Sequence, residues 1–122
     1  MKRGEIWTAA AGGYAGKPRP VVVLQDESFD ATDSVTVCGL TSDPTAAPLF
    51  RLPIEPSERN GLRSRSSIMI DKVTSVRRTH IGYRVGQLDD SDMVRVSHAL
   101  IVFLGLASPS GLRERPGQPE EN

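Results

Sequence analysis

The chain has 122 residues, with 15 basic and 15 acidic side chains balancing to zero formal charge, and one cysteine. That length supports a single domain with its own core, and a neutral balance argues against a protein that coats itself in nucleic acid. A lone Cys38 excludes an internal disulfide framework and a cysteine-rich zinc site.

The sequence opens without an apolar leader, and no stretch approaches the ~20 apolar residues of a membrane span. A soluble cytoplasmic protein with no membrane attachment is therefore expected. Ile6-Trp7-Thr8 reads as a first short strand. A glycine-rich loop follows, Gly12-Gly13-Tyr14-Ala15-Gly16, and then Lys17-Pro18-Arg19-Pro20. Proline fixes φ and pushes the residue before it toward extended geometry, so Arg19 is held stiffly at the mouth of the next strand. That strand, Val21 to Leu24, is continuously apolar and so predicted to be central. Ser34 to Leu40 alternates and is rich in β-branched residues. Cys38 lies within it and reads as a small buried hydrophobe.

Phe50 to Ile54 alternates too, but Pro53 demotes it to an edge or a strand end. Asn60-Gly61 is a turn signal. Ser67 to Ile70 is a fifth strand, which Asp71 to Val76 either continues or kinks, and Tyr83 to Leu88 is a short edge candidate. Asp89-Asp90-Ser91-Asp92 places acids at a helix start. Met93, Val96, Leu100 and Leu104 then recur at helical spacing, which predicts a helix over Ser91–Leu104 with Gly105 as its stop. Residues 108–122 are rich in Pro, Gly and Glu and read as a disordered tail after a folded domain over 1–107. Five to seven short strands with one or two helices predict a mainly β fold, a small, strongly curved antiparallel barrel closed by a C-terminal helix. Side chains fill so small a barrel, which leaves any site to its loops and rim.

Charge is unevenly distributed. From Leu24 to Phe50 every charged residue is acidic, whereas Arg51 to Arg84 is mostly basic. A fold that gathers the second set makes a basic surface from a neutral chain. Three signals concern chemistry. Arg19 stands at a strand entrance, suited to an anion. Thr41 and Ser42 stand at a strand exit. Arg63-Ser64-Arg65-Ser66-Ser67 is phosphate-binding material, followed by Asp71 as a turn residue or a proton acceptor. His80 and His98 are isolated, and no cluster resembles a metal motif.

In order and spacing, Arg3-Gly4-Glu5-Ile6-Trp7, Pro18-Arg19-Pro20-Val21-Val22-Val23, Leu40-Thr41-Ser42 and Ser66 to Asp71 resemble the MazF/PemK (Kid) family of toxin–antitoxin ribonucleases over roughly Lys2 to Ala107. The resemblance implies a homodimer of SH3-like barrels that cuts single-stranded RNA, often mRNA. It implies no metal or other cofactor, and products with 2′,3′-cyclic phosphate and 5′-hydroxyl ends. It also implies neutralisation by a cognate antitoxin, with DNA reached only through the toxin–antitoxin complex. The family arginine falls on Arg19 and the family hydroxyl on Thr41; Asp71 matches an acidic position proposed as a base in part of the family. RNA binding is expected from Tyr14, Lys17, Ser42, Arg65 and Ser66, with Tyr14 as the obvious stacking ring. The first loop carries neither the acid nor the histidine found in some members, and Lys72 stands where many have glutamine. A competing reading is a gyrase-inhibiting toxin of the CcdB type, which shares the barrel and binds protein without cutting. A third is a homologue that binds RNA or antitoxin without cleavage.

Overall fold

Val21, Val22 and Val23 have no exposed surface on either side of their strand. A strand buried on both faces must lie inside a sheet that is covered twice, and the computed structural model, which describes residues 1–10, 17–44 and 50–107, places it there. The chain order is β1 (Glu5–Ala9), β2 (Arg19–Val23), β3 (Ser34–Thr41), β4 (Arg51–Ile54), β5 (Ser66–Arg77), β6 (Ile81–Gln87) and α1 (Asp90–Phe103). The strands form one antiparallel sheet in the order β4-β5-β3-β2-β1-β6.

Period-two alternation sorts β2 into two cores. Val22 and Leu24 join Ile6, Cys38, Ile68, Ile70 and Leu88 under Val96 and Ala99 of α1. Val21 and Val23 turn the other way, into Val35, Val37, Val76 and Ala9, with Trp7 and Ile81 packed at the margin. Each fully buried aliphatic side chain contributes roughly 1.5–3 kcal/mol, so the two clusters together tie every strand to its neighbours.

The expected barrel is closed by a loop rather than by strand pairing. β4 and β6 are the two sheet edges. The segment leaving β4 crosses to β6, where Gln87 N–H donates to the Arg59 carbonyl at 3.0 Å. Buried Asn60 holds that segment by donating to the Glu55 carbonyl and accepting from the Ser57 and Leu62 amides. Pro53 lies on edge strand β4, where its missing N–H costs no ladder bond.

β5 is one strand through Asp71, bent by an irregularity. Its partner on β3 changes from Val73 opposite Cys38 to Ile68 opposite Leu40. The intervening residues turn to β4 instead: Met69 pairs with Arg51, and Ile70 N–H donates to the Phe50 carbonyl. The helix begins one residue earlier than its pattern predicts and ends one residue earlier, at Phe103. Gly105, at φ +77°, donates to Val102, and Leu106 donates to Ile101, which closes the helix end. The predicted tail lies outside the described residues.

Candidate active site

β2 and β3 run antiparallel with Val21 opposite Gly39, Val22 opposite Cys38 and Val23 opposite Val37. Arg19 begins β2 and Thr41 ends β3, so the two lie at the same end of neighbouring antiparallel strands. Adjacent strands lie ~4.8 Å apart, so the strand-entrance arginine and the strand-exit hydroxyl meet at one rim of the sheet. Both line a cleft of about 730 Å³, together with Lys17, Ser42, Arg63, Ser64 and Ser66. Leu62, Val85 and Tyr83 add an apolar wall, and Thr8 and Arg84 complete the β6 side.

The cleft is basic by composition: Lys17, Arg19, Arg63 and Arg84 line it, and no Asp or Glu does among the described residues. This is the local concentration of positive charge that a neutral chain can reach only by folding. Arg84 is restrained, its Nε lying 3.3 Å from Glu5 Oε2 and its Nη2 donating to Gln87 Oε1 at 3.1 Å. Glu5 stays ionised: burial works against the charge, but the Trp7 indole N–H, the Lys2 amide and Arg84 together hold its carboxyl below the usual value. Arg19 is exposed, and its guanidinium forms no hydrogen bond or ion pair among the described residues. Its five donors are therefore open to an anion.

Thr41 is oriented by its own turn. The Asp43 amide donates to Thr41 Oγ1 at 3.1 Å. That bond occupies a lone pair and leaves the hydroxyl proton to donate into the cleft. Ser66 Oγ donates to the Ser64 carbonyl at 3.1 Å and fixes the loop that carries Arg63.

Two expected residues lie elsewhere. Arg65 is turned to Glu55, 2.8 Å away on the open surface, and does not line the cleft. Asp71 is gripped by Arg51, Nε to Oδ1 at 2.8 Å and Nη2 to Oδ2 at 3.1 Å. That fork holds its carboxyl below the usual range, and it too is absent from the cleft lining. A carboxylate so engaged is a weak proton acceptor, which favours a structural role over a base. Tyr14 lies outside the described residues. Conversely, Arg63, Thr8, Tyr83 and Arg84 enter the cleft without having been singled out as site residues. The Arg63-to-Ser66 run carried a phosphate-binding signal, but nothing local in the sequence marks Tyr83, which reaches the cleft through the pairing of β6 with β1. Cys38 is buried, and burial pushes its thiol up to about 12, so it is no nucleophile. Among the described residues no group of three His, Cys, Asp or Glu could hold a metal ion, and no helix is long and apolar enough to cross a membrane.

A family model for the PemK-like, MazF-like toxin of type II toxin–antitoxin systems matches residues 2–104. The chain belongs to this toxin family. A probable endoribonuclease MazF from Mycolicibacterium smegmatis is 57% identical over 88% of this chain and 99% of its own. The endoribonuclease EndoA of Bacillus subtilis is 25% identical over 87% of this chain and 96% of its own. The solved structure of an endoribonuclease in complex with its cognate antitoxin, from mycobacterial species, superposes with a TM-score of 0.74 at 21% identity, over 89% of this chain and 99% of that one. A MazE–MazF complex from Deinococcus radiodurans matches with a TM-score of 0.70 at 19% identity, over 86% of this chain and 95% of that one. The MazF-like toxin fold thus accounts for the sheet and the helix. The chain is an endoribonuclease toxin of the MazF type, and the gyrase-inhibiting alternative is not favoured.

Proposed function

We propose that this MazF-like toxin cuts single-stranded RNA, mRNA foremost, at short sequences, by in-line attack of the RNA's own 2′-oxygen. The observation that carries the reading is the cleft lined by both Arg19 and Thr41, with no carboxylate among its described lining residues. The 2′-oxygen bonds to the adjacent phosphorus as the bond from phosphorus to the 5′-oxygen breaks. The products are a 2′,3′-cyclic phosphate and a 5′-hydroxyl. Charge builds on the phosphoryl oxygens, where a guanidinium binds two at once and stays protonated at any working pH. Arg19 takes that role and Thr41 donates the second hydrogen bond. Among the described residues, the cleft's side chains include no group that ordinarily titrates near neutrality. The 2′-proton therefore passes to water, and the departing 5′-oxygen takes one back. Lys17, Ser42, Arg63 and Ser66 hold the flanking phosphates. The reaction needs no metal.

The same reading includes a homodimer, an antitoxin and action in the cytoplasm. Ile101, Phe103, Leu104 and Leu106 are uncovered at the end of α1, which supports pairing with a second copy. Structures of relatives with antitoxins support an antitoxin partner, and the basic cleft suits an acidic, disordered segment that folds over it and excludes RNA.

Cleavage of a long single-stranded RNA in EDTA, with the 5′ ends mapped, tests the proposal. Discrete cuts with 5′-hydroxyl ends, lost in Arg19→Ala and Thr41→Ala, are expected. Uncut RNA across many sequences with folded wild-type protein would overturn it.

A further inference from the structure

Tyr83 is 69% exposed, yet its backbone is tied to a buried neighbour. Its amide donates to Thr8 Oγ1 at 3.0 Å, and Thr8 is itself buried and lines the cleft. Gly82 lets the two strands approach so closely: a Cβ there would run into Thr8 Oγ1. The backbone is thus pinned while the ring faces the cleft. Among the described residues the ring meets no other aromatic and its phenol has no hydrogen-bond partner. A large, rigid, amphipathic face held open to water beside four cations and a hydroxyl is costly to leave bare and well suited to one kind of ligand.

We infer that Tyr83 is a stacking platform for an unpaired base of the RNA, a binding residue for the reaction proposed above, on which this inference rests. β6 is separated from β2 by β1 alone. Two strand spacings put the backbone of β6 about 10 Å from the strand that carries Arg19. A base seated there therefore belongs to a nucleotide flanking the scissile phosphate, while Arg19 and Thr41 hold the phosphate itself. Arg84, next in sequence, is occupied by Glu5 and Gln87 and leaves the ring's face clear. Single-stranded RNA is bound by splaying bases onto such faces, and every base offers a π-face.

The test uses an RNA oligonucleotide spanning a site mapped with wild type, and its uncleavable 2′-O-methyl counterpart. Tyr83→Ala is expected to raise KM about tenfold with kcat within about twofold, while Tyr83→Phe keeps the wild-type KM because stacking needs the ring and not the hydroxyl. Unchanged melting temperatures of these surface variants exclude a folding effect. In Tyr83→Trp, the 2′-O-methyl RNA is expected to quench the new indole beyond the change seen from Trp7 in wild type. An unaltered KM in Tyr83→Ala, a Phe variant as impaired as the Ala variant, or no added quench in the Trp variant would each overturn the platform. Absence of cutting by wild type would instead overturn the ribonuclease reading, and the quench experiment still decides the stack because it needs no cleavage.

Discussion

Arg19 and Thr41 both bring to the cleft donors that their neighbours leave unused. The guanidinium has no partner among the described residues, and the threonine hydroxyl is used as an acceptor by the Asp43 amide. Removing either is expected to lower kcat on a mapped RNA by ~10²–10³, with smaller changes in KM, measured under single-turnover conditions. Asp71 behaves differently. Asp71→Asn breaks a bidentate pair whose side chains are 15% and 20% exposed, which is expected to cost about 2 kcal/mol near neutral pH while cleavage persists. The native carboxyl titrates below its unfolded value of ~3.9. Its contribution is therefore complete above the unfolded value and is lost as pH falls through the native one. The urea midpoints of wild type and variant should differ near neutral pH and converge in acid; parallel midpoints throughout would contradict this. Cys38, with its thiol pushed to about 12, should resist iodoacetamide in the native protein and react once urea unfolds it.

At the scale of elements, what could be read in the sequence was what local pattern dictates. The apolar run at Val21 to Leu24 is the buried middle of the sheet, and the cap cluster at Asp89 with Gly105 bounds the helix to within a residue at each end. Cys38 is buried as its alternating strand implies. What could not be read depends on partners distant in sequence. The passage of β5 through Asp71-Lys72 is a bend whose register is set against both β3 and β4, and the Arg51–Asp71 fork arises from it. Tyr83 reaches the cleft through a β1–β6 pairing with its own irregularities. The Asn60-Gly61 turn was legible, but not that it would seal the two sheet edges. Gly61 adopts φ +69°, and a Cβ there would run into the Val85 carbonyl. Gly61→Ala is expected to cost ~1–3 kcal/mol for the backbone alone and more for the collision. It should also weaken RNA binding, because Gly61 and Val85 both line the cleft; a urea midpoint and a KM close to wild type would sink this account of the closure.

The molecule as a whole concentrates charge without carrying any net excess. Zero formal charge is compatible with a cleft lined by Lys17, Arg19, Arg63 and Arg84 because the acidic residues between Leu24 and Phe50 fall elsewhere on the surface. Few phosphates are then neutralised per RNA. The logarithm of the RNA binding constant should fall against the logarithm of salt with a slope of about −2 to −3. A slope several times steeper would mean that a much larger surface engages the RNA.

The place of β6 in the sheet has a consequence for how the protein comes into being. Thr8 near the start of the chain supports Tyr83 only once β6 has been made, and the cleft draws Arg84 and Val85 from that same strand. Until then β1 has a bare edge, open to pairing with other chains. A growing polypeptide on the ribosome thus holds both Arg19 and Thr41 long before it has a groove to seat RNA, and the toxin stays unarmed until β6 has been made and paired.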